Sequence, residues 1–144
     1  MNINIQLIRP DATVPVYGSI LAAGADLYAC IDKTIAIWPG DTIPIPTGIA
    51  MEIPEGYVGL IYARSGLACK SDLAPANKVG VIDADYRGEI LVALHNHGKI
   101  IRYIEPGDRI AQLVIAPVIQ GDFHVVEALG DTQRGTGGFG STGK

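Results

Sequence analysis

A chain of 144 residues has the size of one compact domain, roughly 100 to 150 residues. Its 11 Lys and Arg against 15 Asp and Glu leave a net charge of −4, which excludes a duplex nucleic-acid binder relying on broad phosphate attraction. Charged residues make up 18% and hydrophobic residues 48%, a lean charge supply beside the roughly 25% of ordinary soluble chains, so some apolar surface is expected to meet another subunit.

The longest uncharged run, residues 12–25, is interrupted by Thr, Pro, Ser and Gly and falls short of the roughly 18 apolar residues of a membrane helix. No membrane association is expected. The opening MNINIQLIRP has no basic leader followed by an apolar block and cleavage site, and this favours a cytoplasmic setting. Cys30 and Cys69 have no CxxC spacing and are expected as reduced thiols. His95, His97 and His124 form no HxxxH pair; His95 and His97 are expected as the polar end of a strand entering the turn at Gly98, rather than as metal ligands.

Taken in order, Ile3, Ile5 and Leu7 alternate with Asn4 and Gln6 ahead of Pro10, which predicts a half-buried strand. In AGADLYA, residues 23–29, Asp26 stands among apolar neighbours; a carboxylate there must be paired, hydrogen-bonded or near a cation. Prolines at 39, 44, 46 and 54 cut the next stretch into short strands, and Pro39-Gly40 fits the centre of a type II turn. The same PGD triplet returns at residues 106–108, so two similar hairpins are expected to face each other. Residues 57–62 alternate again and run into ARSGLACK, the one convincing short helix. Ser65 is expected as its N-cap, with the first amides, a hydroxyl and the Arg64 guanidinium forming an anion site. Residues 90–94, 100–104 and 110–118 supply three more apolar strands, with Arg109 and Gln112 breaking the pattern of the last and free to face solvent. Short strands with regular turns predict an all-β barrel or sandwich with one short helix.

The segment GVIDADYRGEI, residues 80–90, is poorly suited to a core. Alternation predicts a strand or hairpin with Asp83, Asp85 and Arg87 on one face and Tyr86 on the other, either as a charged edge or as a site. Asn77 lies close enough to stand opposite. From Asp131 the chain reads DTQRGTGGFGSTGK, from which no core can be built. Residues 1–130 are therefore expected as the β domain and 131–144 as a mobile tail. Arg134, Phe139, Ser141 and Thr142, spaced by glycines, are a cation, a ring and two hydroxyls suited to clamping a nucleotide.

Together, AGADLYA, ARSGLA, GVIDADYRGE, GDRIAQL and RGTGGFGSTG resemble, in order and spacing, the five motifs of the homotrimeric dUTPase family. The resemblance implies a jelly-roll trimer that hydrolyses dUTP to dUMP and pyrophosphate with Mg²⁺, at three sites shared between subunits. It implies that Asp83 is the general base for water attack on the α-phosphorus. Asn77, Gly80, Val81, Ile82, Tyr86 and Phe139 would hold base and sugar, with Tyr86 excluding a 2′-hydroxyl. Arg64, Ser65, Gly66, Gln112, Arg134, Gly137, Gly138, Ser141 and Thr142 would hold phosphates, and Asp26 would hold the Mg²⁺ through water. Asp85 and Arg87 would support the structure. Two alternatives share the fold: a dCTP deaminase, which would carry a catalytic Glu where IDADYRGE has its aspartate, and a non-catalytic nucleotide-sensing or protein-binding module, which would have lost Asp83, Asp26 or Arg134.

Overall fold

The period-two alternation of this chain is realised as strand after strand in a computed structural model describing residues 1–138. The order is β1 (Asn4–Leu7), β2 (Val16–Tyr17), β3 (Ala25–Tyr28), β4 (Ile35–Ile37), β5 (Thr42–Pro46), β6 (Ile49–Glu52), β7 (Tyr57–Tyr62), α1 (Ser65–Ser71), β8 (Leu73–Pro75), β9 (Gly80–Ile82), β10 (Leu91–Asn96), β11 (Arg102–Ile104) and β12 (Arg109–Pro117). The expected all-β, jelly-roll-like fold with a single short helix is what forms. The strands make four antiparallel sheets and no closed barrel: β2-β3-β12-β7-β9, β5-β10-β8, β1-β6 and β11-β4.

One core joins them. Leu27, Ile61 and Leu113 point inward from the five-stranded sheet, and meet Ile45, Val92 and Leu94 of the three-stranded sheet with Ile37, Ile49, Met51 and Ile104 from the two ribbons. On the five-stranded sheet the alternate residues necessarily point out. There β3 places Asp26, β12 places Gln112 and Val114, β7 places Leu60 and Tyr62, and β9 places Val81. This outward face is largely apolar between polar ends.

Both PGD triplets make the expected turn. Asp41 N–H donates to the Trp38 carbonyl and Asp108 N–H to that of Glu105, with Gly40 at φ 83° and Gly107 at φ 82°, a region open to glycine. The strands that enter the two turns pair with each other, β4 on β11, whereas those that leave them diverge to different sheets. The echo is thus a ribbon, not two facing hairpins.

Asn96 is fully buried and saturated: its amide donates to the Ile37 and Ile100 carbonyls, each at 2.9 Å, and its Oδ1 accepts from Gly98 N–H at 2.9 Å. It fixes the β10–β11 turn beside that ribbon. Next to it, His95 pairs with Thr42 Oγ1 at 2.8 Å and packs edge-on to His97, as strand-end residues. Both cysteines are free. Burial, then the Asp11 carboxylate, raise the Cys30 thiol above its ordinary value, which keeps it protonated.

Three local expectations fail for physical reasons. Leu7 is exposed, because β1 is an edge strand paired only with β6 and of its run only Ile3 and Ile5 pack against the core. Arg64, arriving extended at φ −84° and ψ 127°, is itself the N-cap of α1 without a side-chain cap, and Ser65 is the first helical residue. The charged run after Ile82 is neither strand nor hairpin. Tyr86 N–H donates to the Asp83 carbonyl, folding residues 83–86 into a turn that carries the chain from β9 in one sheet to β10 in another.

Candidate active site

Two polar constellations sit at opposite ends of the five-stranded sheet. At one end, cross-strand partners Asp26, Gln112 and Tyr62 lie in a row across β3, β12 and β7. The Asp26 side chain is only 14% exposed, and of the three resolutions open to it in the sequence the structure takes pairing with cations. Arg64 Nε donates to Asp26 Oδ1 at 2.8 Å and Arg109 Nη1 to Oδ2 at 3.3 Å. Arg64 has five donors, so most of its guanidinium edge stays available. Gln112 does not simply face solvent, for its Nε2 donates to the Ala63 carbonyl at 2.8 Å, anchoring the turn before α1 and leaving a second N–H. Gly24 makes this possible: a Cβ there would come within 2.9 Å of Gln112 Oε1. Ser65 and Gly66 are exposed at the start of α1, where first-turn amides have no intrahelical acceptor. A Cβ on Gly66 would touch nothing, so packing within this chain gives that glycine no purpose.

At the other end, Val81, Ile82, Asp83 and Tyr86 line one cleft of about 180 Å³ together with Glu89 and Leu91. Asp83, Ala84 and Asp85 also border a larger cleft of about 620 Å³ with Val58 and Val118. Gly80 is buried against Ile61, and a Cβ on it would lie 3.5 Å from Asn77 Nδ2, which puts Asn77 beside the same strand. Tyr86 is held rigidly. Its hydroxyl donates to the Glu89 carbonyl at 3.0 Å, and its ring lies so close over Gly88 that a Cβ there would meet Oη at 2.4 Å and Cζ at 2.6 Å. Glu89 in turn accepts from Gly48 N–H at 2.8 Å. Arg87 does not pair with Asp85; it donates to the Ala84 and Tyr86 carbonyls and reaches Glu52.

The distance between the two ends follows from register. Gly59 pairs with Ile82 and Ile61 with Gly80, so Asp83 stands level with Val58, while Asp26 is level with Tyr62. Four residues along the strands is about 13 Å and three strand spacings about 14 Å, which separates Asp83 from Asp26 by about 19 Å in the sheet. One chain does not bring them together. Arg134 also stays apart in its recorded bonds: its Nε donates to the Gly137 carbonyl at 2.8 Å and Gly137 N–H returns to the Arg134 carbonyl, with Gly138 following. Phe139, Ser141 and Thr142 lie outside the described residues. Among those residues no three His, Cys, Asp or Glu gather to hold a metal.

Comparison with known proteins places the chain in a family. A family model described as dUTPase matches residues 10–143. The chain belongs to the dUTPase family. Its relatives include deoxyuridine 5'-triphosphate nucleotidohydrolases of Desulfitobacterium hafniense, 50% identical over 99% of this chain and 97% of its own, and of Syntrophotalea carbinolica, 48% identical over the same shares. Among solved dUTPase structures, that of Staphylococcus bacteriophage 80alpha with dUPNHPP has a TM-score of 0.91, with 30% identity over 99% of each chain. A variant of the dUTPase from phage phi11 of S. aureus, described for its coordination of a structural Mg(II) ion, has a TM-score of 0.79, with 28% identity over 89% of this chain and 98% of its own.

Two residues within the dUTPase motifs do more than their sequence positions show: Arg109, expected only to break the pattern of its strand and face solvent, and Gly88. Arg109 lies inside GDRIAQL, and Gly88 inside IDADYRGE. The motifs contain both, but only the fold gives Arg109 its partner and Gly88 its load.

Proposed function

We propose that this chain hydrolyses dUTP to dUMP and pyrophosphate, at sites shared between the subunits of a homotrimer. The observation that carries the reading is the match of residues 10–143 to the dUTPase family; the separation of about 19 Å between Asp83 and Asp26, reckoned from strand register, supports sharing between subunits. Such a reaction removes dUTP from the pool used for DNA synthesis and supplies dUMP for dTMP.

In this reading the nucleoside enters the cleft of Val81, Ile82 and Tyr86, with Asn77 on the uracil edge and the Gly80 backbone alongside. Asp83 accepts a proton from a water placed in line with the α-phosphorus, and the pyrophosphate leaves. From a neighbouring subunit Arg64, the amides of Ser65 and Gly66, and the second N–H of Gln112 hold phosphate oxygens. Arg134, Gly137, Gly138, Ser141 and Thr142 come from the third subunit, with Phe139 stacking on the base. The residues fit Mg²⁺ as an ion carried by the triphosphate. Asp26 is a lone carboxylate with lone pairs to spare beyond its two guanidinium bonds, suited to holding metal-bound waters, and the ion would offset phosphate charge there.

The direct test is pyrophosphate release from dUTP in magnesium, with dTTP, dCTP and UTP run in parallel; ammonia from dCTP would replace the reading by deamination. Sharing is tested by mixing Asp83→Asn with Arg134→Ala chains, each expected to be nearly inactive. After subunit exchange the mixture should exceed both parents, whereas activity that merely averages them would place each site within one chain.

Sugar choice is assigned to the seated ring of Tyr86, because a clash with a 2′-hydroxyl discriminates better than an absent contact. Gly88→Ala should displace that ring without straining the backbone, and so raise kcat/KM for UTP relative to dUTP. An unchanged ratio in the folded variant would move sugar discrimination elsewhere.

A further inference from the structure

Asp26 has two guanidiniums where charge balance requires one. Arg64 takes Oδ1 at 2.8 Å and Arg109 takes Oδ2 at 3.3 Å. The carboxylate is the shielded member, 14% exposed against 27% for Arg64 and 54% for Arg109. A carboxylate so placed is costly to leave without a cation. Yet Arg64 is the residue that the phosphates would draw away. With Arg64 as its sole partner, Asp26 would either hold that guanidinium back or stand as a bare negative charge beside a triphosphate. Arg109 comes from another strand, at a register shift between Arg109 and Ala111 on β12, an irregularity of the kind that re-aims a side chain.

We propose that Arg109 is a positioning residue of this site, which holds and neutralises Asp26 so that Arg64 can turn to the triphosphate without leaving a shielded carboxylate unpaired. This rests on the phosphate role proposed for Arg64. It assigns Arg109 no contact with the reacting atoms. Because its bond to Asp26 is a single one, a point charge serves nearly as well as a guanidinium.

The experiment is binding of a non-hydrolysable dUTP analogue in EDTA, which removes any metal contribution of Asp26, with deoxyuridine as a control for the distant cleft. Arg109→Ala should weaken the analogue by roughly 10-fold or more and leave deoxyuridine unchanged, and Arg109→Lys should recover most of the loss. Adding Asp26→Asn to Arg109→Ala should also restore affinity, since no carboxylate then needs a partner. Wild-type affinity in Arg109→Ala, equal weakening of analogue and deoxyuridine, or a double variant no better than the single one would each overturn the proposal. If Arg109→Ala does not fold, Arg109→Gln keeps the bulk, drops the charge and carries the same comparisons. A wild-type chain that leaves dUTP intact would instead overturn the functional reading beneath it.

Discussion

Asp83→Asn is expected to lower turnover of dUTP by roughly 10²- to 10⁴-fold, the usual range for a lost general base, with nucleotide affinity nearly kept. The amide matches the carboxylate in shape but is a far weaker base. The local structure should survive the change, because the turn at Asp83 is held by its backbone carbonyl, which accepts from Tyr86 N–H at 3.1 Å, and no hydrogen bond of its side chain holds the fold among the described residues. The seat of Tyr86 is likewise built from Gly88 and the Glu89 carbonyl. Hydrolysis by the wild type in ¹⁸O-water should place label in dUMP and none in pyrophosphate. Label in pyrophosphate would put the attack on the β-phosphorus and remove Asp83 from its assigned role.

Deletion of residues 134–144 should spare folding and assembly and cut kcat severely. Among the described residues the core draws nothing from 134–138, which gives the stability of the β domain no reason to change. What is lost is the Arg134 cation and a run of backbone donors separated by glycine, which suit phosphate oxygens. Fixing such a run costs on the order of 1 to 2 kcal/mol per residue, and dUMP lacks the β- and γ-phosphates that could offset it. Protection of the tail from protease is therefore expected with a non-hydrolysable dUTP analogue and magnesium, but not with dUMP. Equal protection by both ligands, or near-normal kcat after truncation, would show that the tail is no lid.

Much of the architecture was legible because it is written locally. Strand β7 coincides with the alternating run Tyr57–Tyr62, and both PGD triplets turn where a glycine supplies positive φ. Asp26 announced its need for a partner, whether a cation or a hydrogen-bond donor, simply by being charged in an apolar strand. The identity of that cation was not legible, since Arg109 is 83 residues away and reaches Asp26 only through the pairing of β12 with β3. Asn96 was hidden in part for the same reason, as its bond to the Ile37 carbonyl spans 59 residues, while those to Ile100 and Gly98 are local. The acidic run after Ile82 misled because alternation of charge imitates alternation of faces, while a turn closed by the Tyr86 amide decides the backbone there. At Arg64-Ser65 the serine looks like a cap, but the extended arrival from β7 moves the cap back by one residue.

The two ends of the five-stranded sheet have a consequence for how catalysis responds to protein concentration. If Asp83 and Asp26 serve the same nucleotide only across a subunit boundary, a lone chain is wholly inert. Rate per chain would then not be a constant of the polypeptide but would follow mass action, falling on dilution with a lag set by dissociation and returning when the sample is concentrated. A newly synthesised chain would likewise gain its chemistry only on meeting its fellows.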